Sequence, residues 1–278
     1  MGGWLLATPW AMPHGFPLEQ CRAVITGASS GLGAEFARQL APGAEVLVLV
    51  ARRADALEKV KMELSGTRTK VLCCVSDLAT EAGRSDVCAF LAANGVKPNL
   101  LINNAGMGDY GSFASSSAEK TRTQIELNIT ALTMLTHALL PLMETPGGIL
   151  NVSSLASTLP MPDLAVYAAS KAYVTSFSEA LAIELAPKGI TVSCVCPGPT
   201  PTNFSQTAKR AGGGDTNRDG QALLRIPPAQ VVRVALGALQ AGRACVFPGV
   251  GVAIARRVFR MMPRGIMRWV LKRRSGKE

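Results

Sequence analysis

The chain has 278 residues and a mass of 29.1 kDa; 48% of its residues are hydrophobic, 17% are charged, and mean hydropathy is +0.23. Those values exclude a fibre, a coiled coil, a disulfide miniprotein and an extensively disordered chain, because ample apolar surface is available to offset chain entropy in a sizeable core. Of the net charge of +10, residues 251–278 carry +8 (nine Lys and Arg against one acid), so the preceding 250 residues carry only +2 and no nucleic-acid partner is expected.

Residues 1–20 are apolar and broken by Pro9, Pro13 and Pro17, without a basic run, and read as an N-terminal extension rather than a secretory signal or transit peptide. Leu6 stands where a myristoylation motif on Gly2 would need Ser or Thr. No stretch reaches about 18 uninterrupted apolar residues, the length of a membrane span. Seven scattered cysteines without a C-x-x-C pair fit buried thiols in a reducing compartment, so a cytoplasmic location and no metal are expected. His14 and His137 have no partner pattern.

From residue 21 onward, short β-branched runs alternate with helical patterns, the signature of βαβ units and a parallel sheet. Strands are expected at Arg22–Thr26, Glu45–Val50, Lys70–Val75, Asn99–Asn103, Gly148–Val152, Ile190–Cys196 and Ala244–Phe247. Helices are expected at Gly31–Leu40, Ala54–Leu64, Glu81–Asn94, Ala118–Met143, Asp163–Pro187 and Pro228–Ala241. The fold class is α/β: one doubly wound, Rossmann-type parallel sheet of about seven strands with helices on both faces, over residues 21–250. Residues 200–220, with three consecutive glycines after Ala211, read as a mobile substrate loop at the ligand-binding end of such a sheet.

Directly after the first strand stands Thr26-Gly27-Ala28-Ser29-Ser30-Gly31-Leu32-Gly33. Gly27 suits a tight turn, Gly31 close backbone approach to a pyrophosphate, and Gly33 packing of helix on sheet. The helix start near Gly31 offers free N–H groups and partial positive charge to an anion. At the end of the second strand, where binding of unphosphorylated ribose calls for an acid, stand Arg52 and Arg53. Two guanidiniums suit a 2′-phosphate, and the cofactor expected is therefore NADP(H).

The spacing Thr-Gly-x-x-x-Gly-x-Gly resembles that of the short-chain dehydrogenase/reductase family, and further motifs follow in that family's order from Cys21 to Phe247. They are Asn103-Asn104-Ala105-Gly106, Asn128, Ser154, Tyr167-x-x-x-Lys171 and Pro197-Gly198. The resemblance implies a catalytic set of Asn128, Ser154, Tyr167 and Lys171. It also implies cofactor contacts from Thr26, Gly27, Ser29, Ser30, Gly31, Leu32, Gly33, Asp77, Leu78, Asn104, Ala105, Gly106, Pro197, Gly198, Thr200 and Thr202, and from Tyr167 and Lys171. Asp77 would lie at the adenine and Thr202 at the carboxamide.

Tyr167 and Lys171, four apart on a helix, share one face. An ammonium beside a phenol favours the phenolate, and with a bound cationic nicotinamide it would bring the tyrosine from about 10 towards neutrality, poised to protonate a carbonyl oxygen. Ser154, thirteen residues before Tyr167, is the serine the resemblance selects over Ser153 to hold the substrate oxygen. In the same resemblance Lys171 also bonds the nicotinamide ribose and Asn128 supports a water chain. The expected activity is NADPH-dependent reduction of a ketone, aldehyde or 3-oxoacyl group; the alternative is a dinucleotide-binding sensor or scaffold. Pocket walls from Leu155–Leu164 and Pro199–Phe204 are largely apolar and call for a hydrophobic carbonyl substrate. The family resemblance further implies a homodimer or homotetramer.

Residues 251–278 read as two amphipathic helical pieces broken near Pro263, with arginines interleaving Val252, Val258, Phe259, Ile266, Trp269 and Leu271. Peripheral contact with an anionic membrane is one reading of this tail; packing over the substrate entrance or against another subunit is the other.

Overall fold

A computed structural model describes residues 15–202, 204, 208, 210 and 225–275, with side chains described in the last helix up to Lys272 except Arg264. Residues 1–14, most of the expected 200–220 loop and residues 276–278 lie outside the described residues. The elements are β1 (Arg22–Thr26), α1 (Gly31–Leu40), β2 (Val46–Ala51), α2 (Ala54–Glu63), β3 (Lys70–Val75), α3 (Glu81–Ala93) and β4 (Leu100–Asn103). There follow α4 (Ala118–Ile125), α5 (Leu132–Leu139), β5 (Gly147–Val152), α6 (Ala165–Leu185), β6 (Ile190–Val195), α7 (Pro228–Gln240), β7 (Cys245–Val246), α8 (Val250–Met261) and α9 (Arg264–Ser275).

The seven strands form one parallel sheet in the order β3-β2-β1-β4-β5-β6-β7. Alternate residues of each strand feed two cores. Ile25, Leu47, Leu49, Leu100 and Ile102 pack with Phe36 of α1 and Val232 of α7. Val24, Val48, Leu101, Ile149 and Val192 pack with Leu91 of α3 and with Leu135 and Leu139 of α5. Both faces of the sheet are thus covered, which is why β5 and β6 are buried at every position. The order reverses between β1 and β4, so the crevice beyond their carboxyl ends is the ligand-binding position of the fold.

Strand ends agree with the sequence reading to within two residues. The expected N-terminal extension ends early: Phe16 is fully buried, its N–H donates to the carbonyl oxygen of Leu239 at 3.1 Å, and its ring fills the space left by the missing side chain of Gly148. The single helix expected over Ala118–Met143 is interrupted by a π turn at Glu126–Ala131 and ends in a 3-10 turn at Leu140–Leu142, where Pro141 has no N–H to continue it. This run is long and apolar enough to cross a membrane, but Gln124, Asn128, Leu132, Leu135 and Leu139 are buried against the body. All seven cysteines are free thiols, buried or half-buried.

Candidate active site

The glycine turn has the geometry its residues demand. Gly27 and Gly31 adopt φ of +65° and +57°, left-handed values that a Cβ disfavours. A Cβ on Gly33 would stand 2.2 Å from the carbonyl oxygen of Gly27, so only glycine lets α1 start this close to the turn. At Gly31 a Cβ would meet only the Thr202 side chain, at 3.4 Å, which places Thr202 opposite the turn. This concave backbone, at the N-terminus of a ten-residue helix, fits a pyrophosphate.

Thr26 and Asn104 join β1 to the loop after β4. Thr26 Oγ1 donates to the Ile102 carbonyl at 3.2 Å and accepts from the N–H of Asn104 (2.9 Å) and Ala105 (3.0 Å). Asn104 Nδ2 donates to the carbonyl oxygens of Thr26 (2.9 Å) and Gly27 (3.3 Å). Both side chains are therefore engaged in shaping the cradle. Beside it, Arg53 donates to Ser29 Oγ at 3.4 Å and Arg52 lies 3.9 Å from Asp77, so two exposed guanidiniums stand at the end of β2, one of them against the turn. Asp77 Oδ1 also accepts from the Ala79 N–H, whereas the Leu78 side chain is buried in the core and leaves only its backbone for a ligand.

The end of β5 and the face of α6 bring together the next group. The Ser154 hydroxyl caps the turn Leu155–Thr158 by accepting from the Ala156 N–H at 3.1 Å, and it lies near enough to the Tyr167 phenol to favour its ionised form. Ser153 is buried and bonds the Lys171 carbonyl and Thr175, so it holds α6 to the sheet. Lys171 Nζ lies 5.8 Å from the Tyr167 ring centroid and donates to the Val152 carbonyl at 2.8 Å. Burial lowers Lys171 to about 8. Burial also pushes Tyr167 up to about 12, with the Ser154 hydrogen bond opposing it. The protein's own groups therefore do not bring the phenol towards neutrality, because desolvation outweighs the Ser154 contact. Tyr167 is held as a neutral phenol, the form that donates a proton.

Asn128 sits in the π turn. Its Oδ1 accepts from the Met107 N–H at 2.9 Å, and its Nδ2 donates to the Met107 carbonyl (2.9 Å) and to Ser170 Oγ (3.0 Å). It clamps the loop after β4 to α6. Gly106 lies between it and the lysine: a Cβ there would come 3.2 Å from Asn128 Oδ1 and 3.4 Å from Lys171 Nζ.

After β6, the Pro197 carbonyl accepts from the Leu155 N–H at 2.8 Å, and Thr200 Oγ1 bonds the Gly198 carbonyl. Phe204 stands 5.4 Å from the Tyr167 ring and closes on Gly108. This cover is fastened by a contact the sequence reading did not find. Arg210 donates to both oxygens of the buried Asp109, at 2.9 and 2.5 Å, while Lys120 pairs with the same carboxylate at 2.9 Å. Arg210 and Lys120 hold Asp109 down at about 2. Cys194 and Cys196, buried as expected, are joined by Cys245 of β7, the three sulfurs lying within 4.8 Å of one another behind α6.

The chain shows three kinds of similarity to known proteins. A family model described as short chain dehydrogenase matches residues 22–212. Sulfoacetaldehyde reductase of Chromohalobacter salexigens is 37% identical over 203 residues, 70% of this chain and 78% of the relative. A very-long-chain 3-oxoacyl-CoA reductase of Podospora anserina is 36% identical over 224 residues, 77% of this chain and 62% of the relative. Among solved structures, a short-chain dehydrogenase from Sphingobium yanoikuyae in complex with NADPH superposes with a TM-score of 0.74 at 30% identity, covering 89% of this chain and 95% of the other.

Proposed function

Since the chain belongs to the short-chain dehydrogenase/reductase family, oxidoreductases that work with a nicotinamide dinucleotide, we propose that it is an NADPH-dependent reductase of apolar ketones or 3-oxoacyl thioesters with Tyr167 as proton donor. The observation that carries this reading is the grouping of Ser154, Tyr167 and Lys171 at the end of β5, roofed by Phe204. NADPH, when bound, supplies the hydride. Gly31 and the free N–H groups of α1 would hold its pyrophosphate, and Arg52 and Arg53 its 2′-phosphate.

Ser154 orients the carbonyl oxygen of the substrate, and Tyr167, whose burial favours the neutral phenol, gives that oxygen its proton. Lys171, anchored on the Val152 carbonyl, keeps an ammonium behind the phenol to ease the loss of that proton. Asn128 fixes Gly106 and Met107 against α6 and so sets the distance between the two halves of the site. A sensor that never turned over would gain nothing from a buried ammonium, which costs stability. The same reading pairs two copies through the outer faces of α5 and α6, where Met134, Tyr173 and Ile183 are exposed.

The test is NADPH consumption against ketones, aldehydes, quinones and 3-oxoacyl thioesters, beside Tyr167→Phe. Turnover that falls at least ~10³-fold in the variant, with NADPH affinity kept within about threefold, is the expected result. Tight NADPH binding with no turnover on any compound would transfer the reading to a dinucleotide sensor.

A further inference from the structure

The exposed apolar surface of α8 and α9 is not explained by reduction chemistry. Val250, Ile254, Val258 and Met261 are 79%, 59%, 50% and 80% exposed. At about 100° per residue they fall within roughly 80° of one another on α8. They are not the face that seats the helix: Val252 is buried in the core, Ala255 packs against it, and Phe259 shares that side. The helix therefore carries two apolar faces, one docked and one turned outward. Ile266 and Trp269 of α9 are likewise 52% and 54% exposed.

Arginines border this face. Arg257 and Arg260 line one side of it on α8, and Arg268 and Lys272 follow on α9; all four are exposed, and none has an acidic partner among the described residues. Arg256, by contrast, is committed to the body, 4.3 Å from the Phe247 ring centroid. The nearest acid in the sequence beyond Gly249 is Glu278. Two copies meeting through this face would bring together two segments of charge +8, which repel. An anionic bilayer answers both features, with headgroups for the arginines and acyl chains for the apolar arc.

The position of α8 gives the surface a functional meaning. It follows β7 at the carboxyl edge of the sheet, the edge that holds the glycine turn, Ser154 and Tyr167. It also lies against the turn Leu155–Thr158, with Val252 and Leu155 in one core cluster. We propose that α8 and α9 dock the protein on an anionic lipid surface through Val250, Ile254, Val258, Met261 and Ile266, so that the catalytic edge faces the bilayer and draws apolar carbonyl substrates from it. The substrate part rests on the reductase reading above; the docking part does not.

The experiment separates the two. Full-length protein is floated with vesicles of phosphatidylcholine alone and of phosphatidylcholine with 30% phosphatidylglycerol, beside Ile254→Asp/Val258→Asp and Arg257→Ala/Arg260→Ala. The intact protein is expected to float with the anionic vesicles and at least tenfold less with neutral ones, and each double variant to lose at least tenfold in binding. Reduction of a water-soluble ketone without vesicles is expected to stay within twofold in both variants, which also reports that they fold. Reduction of a long-chain ketone dissolved in the anionic vesicles should fall at least tenfold. Equal flotation of intact protein and variants, or none of the intact protein, overturns docking; a change in sedimentation mass without a change in flotation assigns the face to a second copy and overturns it too. If docking holds but the vesicle-borne and soluble ketones respond alike, drawing substrate from the bilayer is overturned. Failure on every carbonyl with docking intact defeats the reductase reading instead.

Discussion

Arg210 grips Asp109 through two hydrogen bonds of 2.9 and 2.5 Å, tying the segment after β6 to the loop after β4 across 101 residues of sequence. The carboxylate is nearly enclosed and Arg210 is only one-fifth exposed, so solvent screens the pair little. Phe204, in the segment after β6, stands beside the Tyr167 ring and packs on Gly108 of the loop after β4.

Asp109→Asn should cost about 2 kcal/mol, since the carboxyl titrates at about 2 in the folded protein against 3.8 ordinarily. That corresponds to a fall in Tm of very roughly 5 °C. The folded-state value is depressed, so the stabilisation is complete above 3.8 and is lost as pH falls through about 2. Thermal unfolding of the two proteins should therefore differ at pH 6 and converge near pH 2. A difference independent of pH would assign the loss to packing rather than charge. KM should rise with kcat little changed, because the clamp holds the roof and not the reacting groups.

Arg52→Ala/Arg53→Ala should weaken NADPH binding by about two orders of magnitude, the loss of charge-assisted contacts to a phosphate. NADH, which lacks that phosphate, should lose no more than about threefold. Fluorescence titration with both cofactors measures the ratio, and equal losses would remove the two arginines from the 2′-phosphate.

Lys171 supplies a stability signature in the alkaline range, where its charged form is the one that burial disfavours. Burial holds its folded value near 8, below the ordinary 10.5, so the unfolded chain binds this proton more tightly and stability rises as pH climbs from about 8 to 10.5. Relative to Lys171→Met, the wild-type protein should therefore gain about 3 kcal/mol over that interval. Denaturant unfolding at pH 8, 9 and 10 reads it directly. Parallel curves would mean the amine is not buried as a charge.

Most of the architecture was legible because its causes are local. Val24 and Ile25 alternate between two cores within one strand, and the glycine turn, Tyr167 and Lys171 are each defined within a few residues. Pro263 breaks the tail into α8 and α9 where the sequence says it should. What was not legible depends on chain segments meeting. Nothing near Asp109 announces Arg210, and Cys194 and Cys196 carry no mark of Cys245, which reaches them only through the pairing of β6 with β7. The rise of the Tyr167 phenol under the protein's own groups was hidden from the sequence for a related reason. Spacing predicts proximity, but the solvent removed from the phenol depends on everything packed around it.

The π turn at Glu126–Ala131 adds one residue beyond what an α-helix of the same span would need. Removing a single residue from it would turn everything downstream by about 100° relative to everything upstream. Asn128 could then no longer face Met107 and Ser170 while Leu132, Leu135 and Leu139 still faced the sheet. Chain length at this point is therefore part of the site's specification: two helical segments with incompatible facings share one axis, and the surplus residue is the phase offset that lets the core and the chemistry both be satisfied.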